Sequence, residues 1–400
     1  MNNQIAYWAE VLKALISIDT SVPPGKNYDQ AMDLLEGEFQ GVGCQTERII
    51  IPPELIGKYR NLRGPRTNLL AHARVPGKPR LLIYTHIDTV GFAGWNGLTP
   101  RQEEGKIFGR GAADMKGAIA GLLFGLGKIQ NMALLAWDLT VVVTTDEEIP
   151  EVQIPQLEYL GQFIEPEGAH IWSLDSEAGR IEVAGLGTLQ MDVEIMGRSV
   201  HSALSHLGEN AVEKACLLVN SLLQLKEKVG QRRSKIPVHP DTAIKSGRME
   251  GRLNINVIQG GWKTNVVPDT CRISLDRRLI PEEDLEKAEQ ELIETLSLAK
   301  GVSWRIRNVL RTPPYAVADL EDPVINRLAR ILGEETGQTG KFGGMGSFDL
   351  PGVAAKWRAT VFGLGVFRPE SNIHGKDEFV FLQDIEDLSE VAARFLLDKN

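Results

Sequence analysis

The stretch LLIYTHIDT, residues 81–89, decides the fold together with TVVVTTDEE, residues 140–148. Each stretch is an apolar run of strand length that ends in polar and charged residues. IWSLDS, residues 171–176, repeats this pattern with an acid near its end. Residues 118–130 have the length of a helix, and their glycines predict close packing against a sheet. Strands that alternate with helices predict an α/β fold whose polar strand ends form a site.

The pattern changes after Gly187, where TLQMDVEIMG alternates apolar and polar residues. This alternation predicts a half-buried strand in a sheet with one open face. The elements expected after it are a helix at 210–229, strands at 252–260 and 271–279, and a helix opened by Pro281. Together they predict an α+β unit of ferredoxin-like type. We therefore predict a catalytic domain in two parts, residues 1–186 and 299–400, interrupted by an inserted unit at 187–298.

The composition favours a globular protein with two domains, because 400 residues exceed the size at which a single hydrophobic core usually divides. A formal net charge of -9, with both signs scattered along the chain, argues against nucleic acid as a partner. No stretch reaches the roughly 20 apolar residues that span a bilayer, so no membrane-spanning segment is expected. Three widely separated cysteines are typical of a reducing compartment, and we expect a cytoplasmic protein.

His86 and Asp88 stand two residues apart at the end of the first strand. Side chains at this spacing lie on the same face, where the aspartate can orient or polarise the imidazole of a metal-binding histidine. Taken alone, the same arrangement is also typical of an ordinary hydrogen-bonded pair. The pattern therefore gives one metal-ligand candidate and one supporting acid.

Further acids cluster on two other segments. Asp114, in GRGAADMKG, lies on a glycine-flanked loop before a helix, where a carboxylate either bridges two ions or caps the helix. Glu147 and Glu148 follow Asp146 after the second strand. Three clustered anions repel one another, and a divalent cation offsets this repulsion while leaving one carboxylate free as a base. A solvated charge cluster on a loop is the alternative interpretation.

Two more ligand candidates rest on weaker patterns. Asp175 ends the third strand, but Glu177 lies on the same face and offers the same chemistry. Asp175 is preferred, and Glu177 remains a rival for the same position. His374, in RPESNIHGKDEFV, lies in a polar loop before the last helix and by itself is typical of a surface histidine.

Six strings, in order along the chain, carry a resemblance to a known family: THIDT, GRGAADMKG, TTDEE, SLDSEAG, GRSVHSA and SNIHGKDE. They resemble the co-catalytic zinc family of aminoacylases, acetylornithine deacetylases, succinyl-diaminopimelate desuccinylases and glutamate carboxypeptidases. The resemblance covers nearly the whole chain. It implies a mixed-sheet zinc-peptidase catalytic domain with helices on both faces, interrupted by an α+β dimerisation domain.

The resemblance also implies a ligand set for two zinc ions per subunit, for which cobalt or manganese can substitute. Asp114 would bridge the ions, with His86 and Asp175 completing one position and Glu148 and His374 completing the other. The peptide bond after Asp114 would be cis.

The catalytic roles implied by the resemblance fall on two further acids. Glu147 would be the general base that takes a proton from a zinc-bound water and passes it to the departing nitrogen. Asp88 would support the site from behind.

His201, Asn265 and Arg278 match positions that bind substrate in this family. Each also has an ordinary interpretation, as a surface histidine, a turn-forming asparagine and an arginine paired with Asp276. A guanidinium binds both oxygens of a carboxylate, so a substrate with a free α-carboxylate is expected. The resemblance further implies a homodimer that forms through the inserted domain and donates the histidine across the interface.

The function expected from these residues is hydrolysis of the amide bond of an N-acyl amino acid. A dipeptidase or carboxypeptidase with the same two metals is the alternative within this chemistry, since a short peptide presents the same bond. A non-catalytic binding protein on the same fold is the alternative outside it. The acyl group and the amino acid are not encoded in the spacing of the motifs.

Overall fold

The computed structural model describes residues 3–56, 61–92, 94–347 and 349–397. Its helices are α1 (Asn3–Ser17), α2 (Tyr28–Gly41), α3 (Pro53–Ile56), α4 (Gly117–Gly127), α5 (Pro150–Ile164), α6 (Ala211–Val229), α7 (Leu285–Ser297), α8 (Pro323–Thr336), α9 (Leu350–Lys356) and α10 (Leu382–Leu397). Its strands are β1 (Gln45–Ile50), β2 (Thr67–Ala73), β3 (Arg80–His86), β4 (Arg101–Glu103), β5 (Lys106–Phe108), β6 (Asp138–Thr144), β7 (His170–Ser173), β8 (Ile181–Gly185), β9 (Gly187–Met196), β10 (Val200–His201), β11 (Arg233–Pro237), β12 (Arg248–Glu250), β13 (Arg252–Gly260), β14 (Val266–Val267), β15 (Thr270–Leu279), β16 (Ser303–Thr312), β17 (Tyr315–Ala316), β18 (Lys341–Gly343), β19 (Thr360–Gly363) and β20 (Phe379–Phe381).

Two compact units make up the chain. The first comprises Met1–Val183, Val317–Lys341 and Asp349–Asn400, and the second comprises Ala184–Ala316 and Phe342–Phe348. The expected inserted segment, 187–298, ends earlier than the second unit does. The difference arises because β16 pairs antiparallel with β9, so the strand after the second helix belongs to the inserted sheet.

The first unit contains a mixed sheet in the order β1-β2-β6-β3-β7-β19-β8. β3 is parallel to both β6 and β7, and β19 is parallel to β7, whereas β1, β2 and β8 run antiparallel to their neighbours. β3 and β6 are buried along almost their whole length, as expected for central strands covered on both faces. The α/β class with a mixed sheet is confirmed.

The glycines of α4 allow another helix to approach closely. A Cβ atom on Gly121 would lie 3.2 Å from the carbonyl oxygen of Ile385, and one on Gly125 would lie 2.8 Å from that of Ser389. Both oxygens belong to α10, so the expectation that the glycines face a sheet is wrong. The stretch is nevertheless a helix with close backbone packing, which accounts for residues of poor helix propensity at these positions.

The second unit has the strand and helix order β9-α6-β13-β15-α7-β16 and the antiparallel sheet order β13-β15-β9-β16. This is the ferredoxin-like arrangement expected from the sequence. α6 and α7 cover one face of the sheet, where Leu218, Leu222 and Leu292 are fully buried against strand residues such as Val193 and Ile273.

Side chains directly before α6 and α7 cap the N-termini of these two helices. Asn210 caps α6 through bonds from the backbone amides of Val212 and Glu213. Asp284 caps α7, so that helix begins after Asp284 and not at Pro281. In the part of the chain that the structure describes, no helix is long and apolar enough to cross a membrane.

The close approach of α4 and α10 makes a testable prediction about stability. Gly125→Ala is expected to lower the free energy of unfolding by about 1 to 2 kcal/mol, because overpacking outweighs the smaller gain in helix propensity. The midpoint of urea unfolding measures the change.

Gly37 provides the matched control, because it lies inside α2 and a Cβ atom there would meet nothing within 4 Å. Gly37→Ala is expected to raise the free energy of unfolding by about 0.5 to 1 kcal/mol. If the two variants were equally stable, close packing would not be the reason for glycine in α4.

Candidate metal centre

The carboxyl ends of three neighbouring strands bring most of the candidate residues to one edge of the sheet. β3 and β6 pair in parallel with His86 beside Thr144, and β3 and β7 pair with Tyr84 beside Ser173. His86 therefore ends its strand at the level where the chain leaves β6 toward Glu147 and Glu148. Asp175 follows β7 at the same edge.

Asp114 lies at a kink within the short segment Ala112–Lys116 that precedes α4, where its own backbone is not helical, with φ -111° and ψ 91°. The peptide bond between Asp114 and Met115 is cis, as the resemblance implies. One carboxylate oxygen of Asp114 lies 3.1 Å from Nε2 of His86, and the other lies 3.1 Å from Nε2 of His374. The carboxylate thus contacts two imidazoles from distant parts of the chain.

The ligand atoms form two groups that share Asp114. In each group the atoms lie within 4.8 Å of one another; the groups are His86, Asp114 and Asp175, and Asp114, Glu148 and His374. Each group offers one imidazole nitrogen and two carboxylates, a donor set that suits zinc and related transition metals. The residues present therefore fit a pair of metal ions that share one carboxylate.

The electrostatics of the cluster also suit a cation. Burial raises the pKa of Asp175 to about 7, and the charge of Asp114 acts in the same direction. Burial likewise raises the pKa of Glu147, followed by repulsion from Asp175. Hydrogen bonds to Asp114 and Glu148 raise the pKa of His374 to about 10. Carboxylates crowded away from water gain most from a nearby positive charge, which a divalent ion supplies.

Asp175 and Glu177 have different partners in the structure. Asp175 belongs to the group with His86, whereas Glu177 forms an ion pair with Arg180. Among the described residues, Glu177 belongs to neither metal-ligand group. Its carboxylate is already engaged by a guanidinium, which explains why equal chemistry on the same face does not make it an equal candidate.

Glu147 and Asp88 lie beside the ligand groups without belonging to them. Oε2 of Glu147 lies 3.9 Å from Nε2 of His86, and its side chain is 17% exposed. Asp88 is fully buried, and its Oδ2 accepts a hydrogen bond of 3.0 Å from the backbone amide of Glu148. Nδ1 of His86 lies 3.2 Å from the carbonyl oxygen of Asp88 and 3.5 Å from its Oδ1. Asp88 therefore contacts two neighbouring segments of the site.

Asp146 has a structural role that no pattern in the sequence indicates. Its backbone adopts a left-handed φ of 61°, and its buried carboxylate accepts bonds from Tyr28 at 2.7 Å, Arg66 at 3.0 Å and Gln156 at 2.8 Å. The first acid of the TTDEE string thus holds the turn that presents Glu147 and Glu148. No spacing in the sequence connects Arg66 or Tyr28 with this turn.

The three expected substrate-binding residues belong to the second unit. His201 and Val266 pair across β10 and β14, and the carbonyl oxygen of Asn265 accepts a bond from the amide of Ser202. His201 and Asn265 are therefore neighbours, and both are exposed.

Arg278 lies on β15, where its guanidinium donates to Asp276 at 2.8 Å and to the hydroxyls of Thr188 at 2.8 Å and Ser347 at 3.2 Å. Arg278 therefore makes the ion pair with Asp276 that was given above as the alternative to substrate binding. The guanidinium is also half-buried and held in one orientation by the two hydroxyls.

Comparison with known proteins assigns the chain to a family. The chain is 27% identical over 373 residues to a succinyl-diaminopimelate desuccinylase of Corynebacterium glutamicum, covering 86% of this chain and 90% of that protein. It is 26% identical over 412 residues to an acetylornithine deacetylase of Proteus mirabilis, covering 99% of this chain and 97% of that protein.

A similar fold occurs in a solved structure, human carnosine dipeptidase 1, with a TM-score of 0.77 at 16% identity and coverage of 99% and 96% of the two chains. These comparisons confirm the resemblance that the six strings predict. The sequence profile of peptidase family M20/M25/M40 matches residues 82–398, and the chain therefore belongs to this family of hydrolases.

Proposed function

We propose that this protein hydrolyses the amide bond of an N-acyl amino acid at two zinc ions. The observation that carries the proposal is the carboxylate of Asp114, which is common to two groups of imidazole and carboxylate ligands. The remaining ligands in these groups are His86, Asp175, Glu148 and His374. When bound, two zinc ions in such a site polarise the scissile carbonyl and lower the pKa of the attacking water.

Glu147 is the general base in this proposal. Its carboxylate lies beside the ligand groups but belongs to neither among the described residues, so it stays free to accept a proton. Glu147 takes the proton from the attacking water as the C–O bond forms, and delivers it to the nitrogen as the C–N bond breaks. The products are a carboxylic acid and an amine.

Asp88 orients this machinery. Its backbone carbonyl oxygen lies 3.2 Å from Nδ1 of His86, and its carboxylate accepts a bond from the amide of Glu148, so Asp88 contacts one ligand residue from each group. A hydrogen-bond acceptor behind a metal-binding histidine, whether a carboxylate or a backbone carbonyl group, fixes the orientation and tautomer of the imidazole and keeps Nε2 available to the metal. We assign Asp88 to this supporting role.

The names of two relatives and residues of the second unit support the proposed substrate class. The relatives named for desuccinylation and deacetylation both act on N-acyl groups. Arg278 offers a planar guanidinium suited to the α-carboxylate of the substrate. His201 and Asn265 are exposed neighbours, and we assign them to the polarisation and binding of the scissile carbonyl group.

The substrate class is tested by assaying N-acetyl amino acids, N-succinyl amino acids and dipeptides side by side. We expect kcat/KM to be at least about tenfold higher for N-acyl amino acids, and to fall about 10- to 100-fold when a carboxamide replaces the α-carboxylate, because a charge-assisted bond is lost. Arg278→Met is expected to remove this discrimination between carboxylate and carboxamide.

Arg272→Met is the matched control, because Arg272 lies on the same strand, pairs with Asp192 and is 51% exposed. It should leave the discrimination unchanged. A tenfold preference for dipeptides would replace the deacylase by a peptidase. Protein that binds no zinc, and is inactive on all three substrate types with added zinc or cobalt, would support a non-catalytic protein.

Glu147 and Glu148 are adjacent acids with different expected roles. Glu147→Gln is expected to retain both metals and to lower kcat by about 10²- to 10⁴-fold, because only the base is lost. Glu148→Gln is expected to lose metal from one of the two positions. Metal content by atomic emission and steady-state rates, measured on the same preparations, check both outcomes. Full activity of Glu147→Gln would refute the assignment of the base.

We also propose a homodimer formed through the second unit. β13 is an edge strand of its sheet, and it exposes Val257 and Ile258, while Trp262 after it is 80% exposed. An edge strand with exposed apolar side chains is suited to pairing with a second copy. In the dimer, His201 of one protomer would act in the site of its partner.

Ile258→Asp is expected to give a monomer that keeps its metals but loses most of its turnover, because His201 no longer reaches a neighbouring site. Sedimentation velocity and metal content measure the two properties. Leu298→Asp is the control, since Leu298 is 70% exposed at the end of α7. A wild-type monomer with full activity would contradict the proposal.

We propose a cytoplasmic location because the three cysteines are unpaired with one another. Cys44, Cys216 and Cys271 are all free thiols, as expected in a reducing compartment.

A further inference from the structure

A buried ion pair lies behind the metal-ligand groups and has no part in the proposed mechanism. Arg110 and Glu378 are 1% and 0% exposed, and Nη1 of Arg110 donates to Oε2 of Glu378 at 2.5 Å. Removing two charges from water is costly, and a buried pair seldom adds net stability compared with apolar residues of similar size. The other hydrogen bonds of Arg110 and Glu378 indicate what the pair does in the protein.

Glu378 holds the backbone at Asp114. Its second oxygen, Oε1, accepts bonds from the amides of Ala113 at 3.1 Å and Asp114 at 3.2 Å. One carboxylate therefore fixes the turn that presents the shared ligand, and its other oxygen binds the guanidinium.

Arg110 holds the loop that carries His374. Its Nη2 donates to the carbonyl oxygens of His374 at 3.1 Å and Gly375 at 3.0 Å. His374 has a left-handed φ of 63°, and its side chain is 51% exposed. A non-glycine residue in this conformation persists only where its surroundings hold it.

The ordinary strand pairing ends just before these contacts. β20 and β5 pair with Phe379 beside Phe108, and the amide of Gly109 donates to the carbonyl oxygen of Glu378. Beyond this point the two segments leave the ladder, one toward Asp114 and the other toward His374. The ion pair bridges the segments where backbone pairing no longer does.

We propose that Arg110 and Glu378 are positioning residues, which set the separation of Asp114 and His374 and thereby the affinity of one of the two metal positions. The inference rests on the proposed function in that the ligand groups hold metals. Arg110 donates directly to the backbone at His374 and reaches the shared ligand Asp114 through Glu378. Within the described part of the chain, its hydrogen bonds do not extend to His86 or Asp175, the two ligands that belong only to the other group. Its loss should therefore weaken the position completed by Glu148 and His374, and spare the other.

The experiment is calorimetric titration of metal-free, full-length protein with Zn²⁺ and with Co²⁺. Arg110→Lys keeps the positive charge, but it replaces a planar fork, in which Nη1 donates to Glu378 and Nη2 donates to two carbonyl groups, by a single ammonium group. We expect one of the two binding events to weaken about 10- to 100-fold, the range found when a residue that supports a metal ligand is lost, and the other to change by less than about threefold. The visible spectrum of the Co²⁺ protein should show the change in one position.

Double variants assign the weakened event. Adding Arg110→Lys to His374→Ala should cause no further loss of affinity, because both changes act on the same position. Adding it to Asp175→Asn should weaken the remaining event as strongly as in the wild-type background. Equal weakening of both events, or full additivity with His374→Ala, would overturn the proposal.

Arg277→Lys is the control for burying a lysine in place of a paired arginine. Arg277 is fully buried in the second unit and pairs with Glu283 at 2.6 Å. This variant should bind both metals as the wild type does. If Arg110→Lys does not fold, Glu378→Gln replaces it, since its amide oxygen can still accept from Asp114 while the ion pair is lost.

Metal binding by the wild-type protein distinguishes a wrong positioning role from a wrong proposed function. Wild-type protein that binds no metal overturns both proposals. Wild-type protein that binds two ions, with unchanged binding in Arg110→Lys and Glu378→Gln, overturns only the positioning role.

Discussion

The carboxylate of Asp114 contacts His86 through one oxygen and His374 through the other, and the site depends on this shared contact. The two histidines come from the end of β3 and from a loop before β20, so one short side chain joins distant parts of the first unit. Around it, burial raises the pKa of Asp175, Glu147 and Glu148, which means that several carboxylates compete for little positive charge. The two divalent ions proposed for this site would supply that positive charge.

Two buried arginines, Arg66 and Arg110, each pair with an acid that adjoins or contacts residues of this cluster. Arg66 binds Asp146 and so supports the turn before Glu147 and Glu148, while Arg110 binds Glu378 and so supports Asp114 and the His374 loop. Each guanidinium also donates to backbone carbonyl groups of a neighbouring loop. Because a buried ion pair contributes little net stability, fixed geometry at the site is the better explanation for both pairs.

The second unit supplies a different kind of surface. Its helices bury one face of the sheet, and its edge strand β13 remains unpaired on one side among the described strands. Arg278 is oriented by Asp276 and two hydroxyl groups, which would lower the entropic cost of the carboxylate binding proposed for it. The catalytic chemistry and the proposed recognition thus reside in different units of the chain.

The sequence by itself determined the α/β class, the ferredoxin-like insertion and the residue types of the site, because apolar periodicity and charged strand ends are local patterns. His86, Glu147 and Glu148 could be placed at strand ends from such patterns, whereas His374 depended on the resemblance. Only the tertiary structure distinguishes Asp175, which joins a group of candidate ligands, from Glu177, which pairs with Arg180, because both contacts are matters of side-chain geometry. It also revealed that β16 belongs to the inserted sheet, that Asp146 accepts bonds from Tyr28, Arg66 and Gln156, and that Glu378 accepts bonds from the amides of Ala113 and Asp114. These contacts join residues far apart in the chain, and no local pattern records which buried carboxylate will meet which arginine.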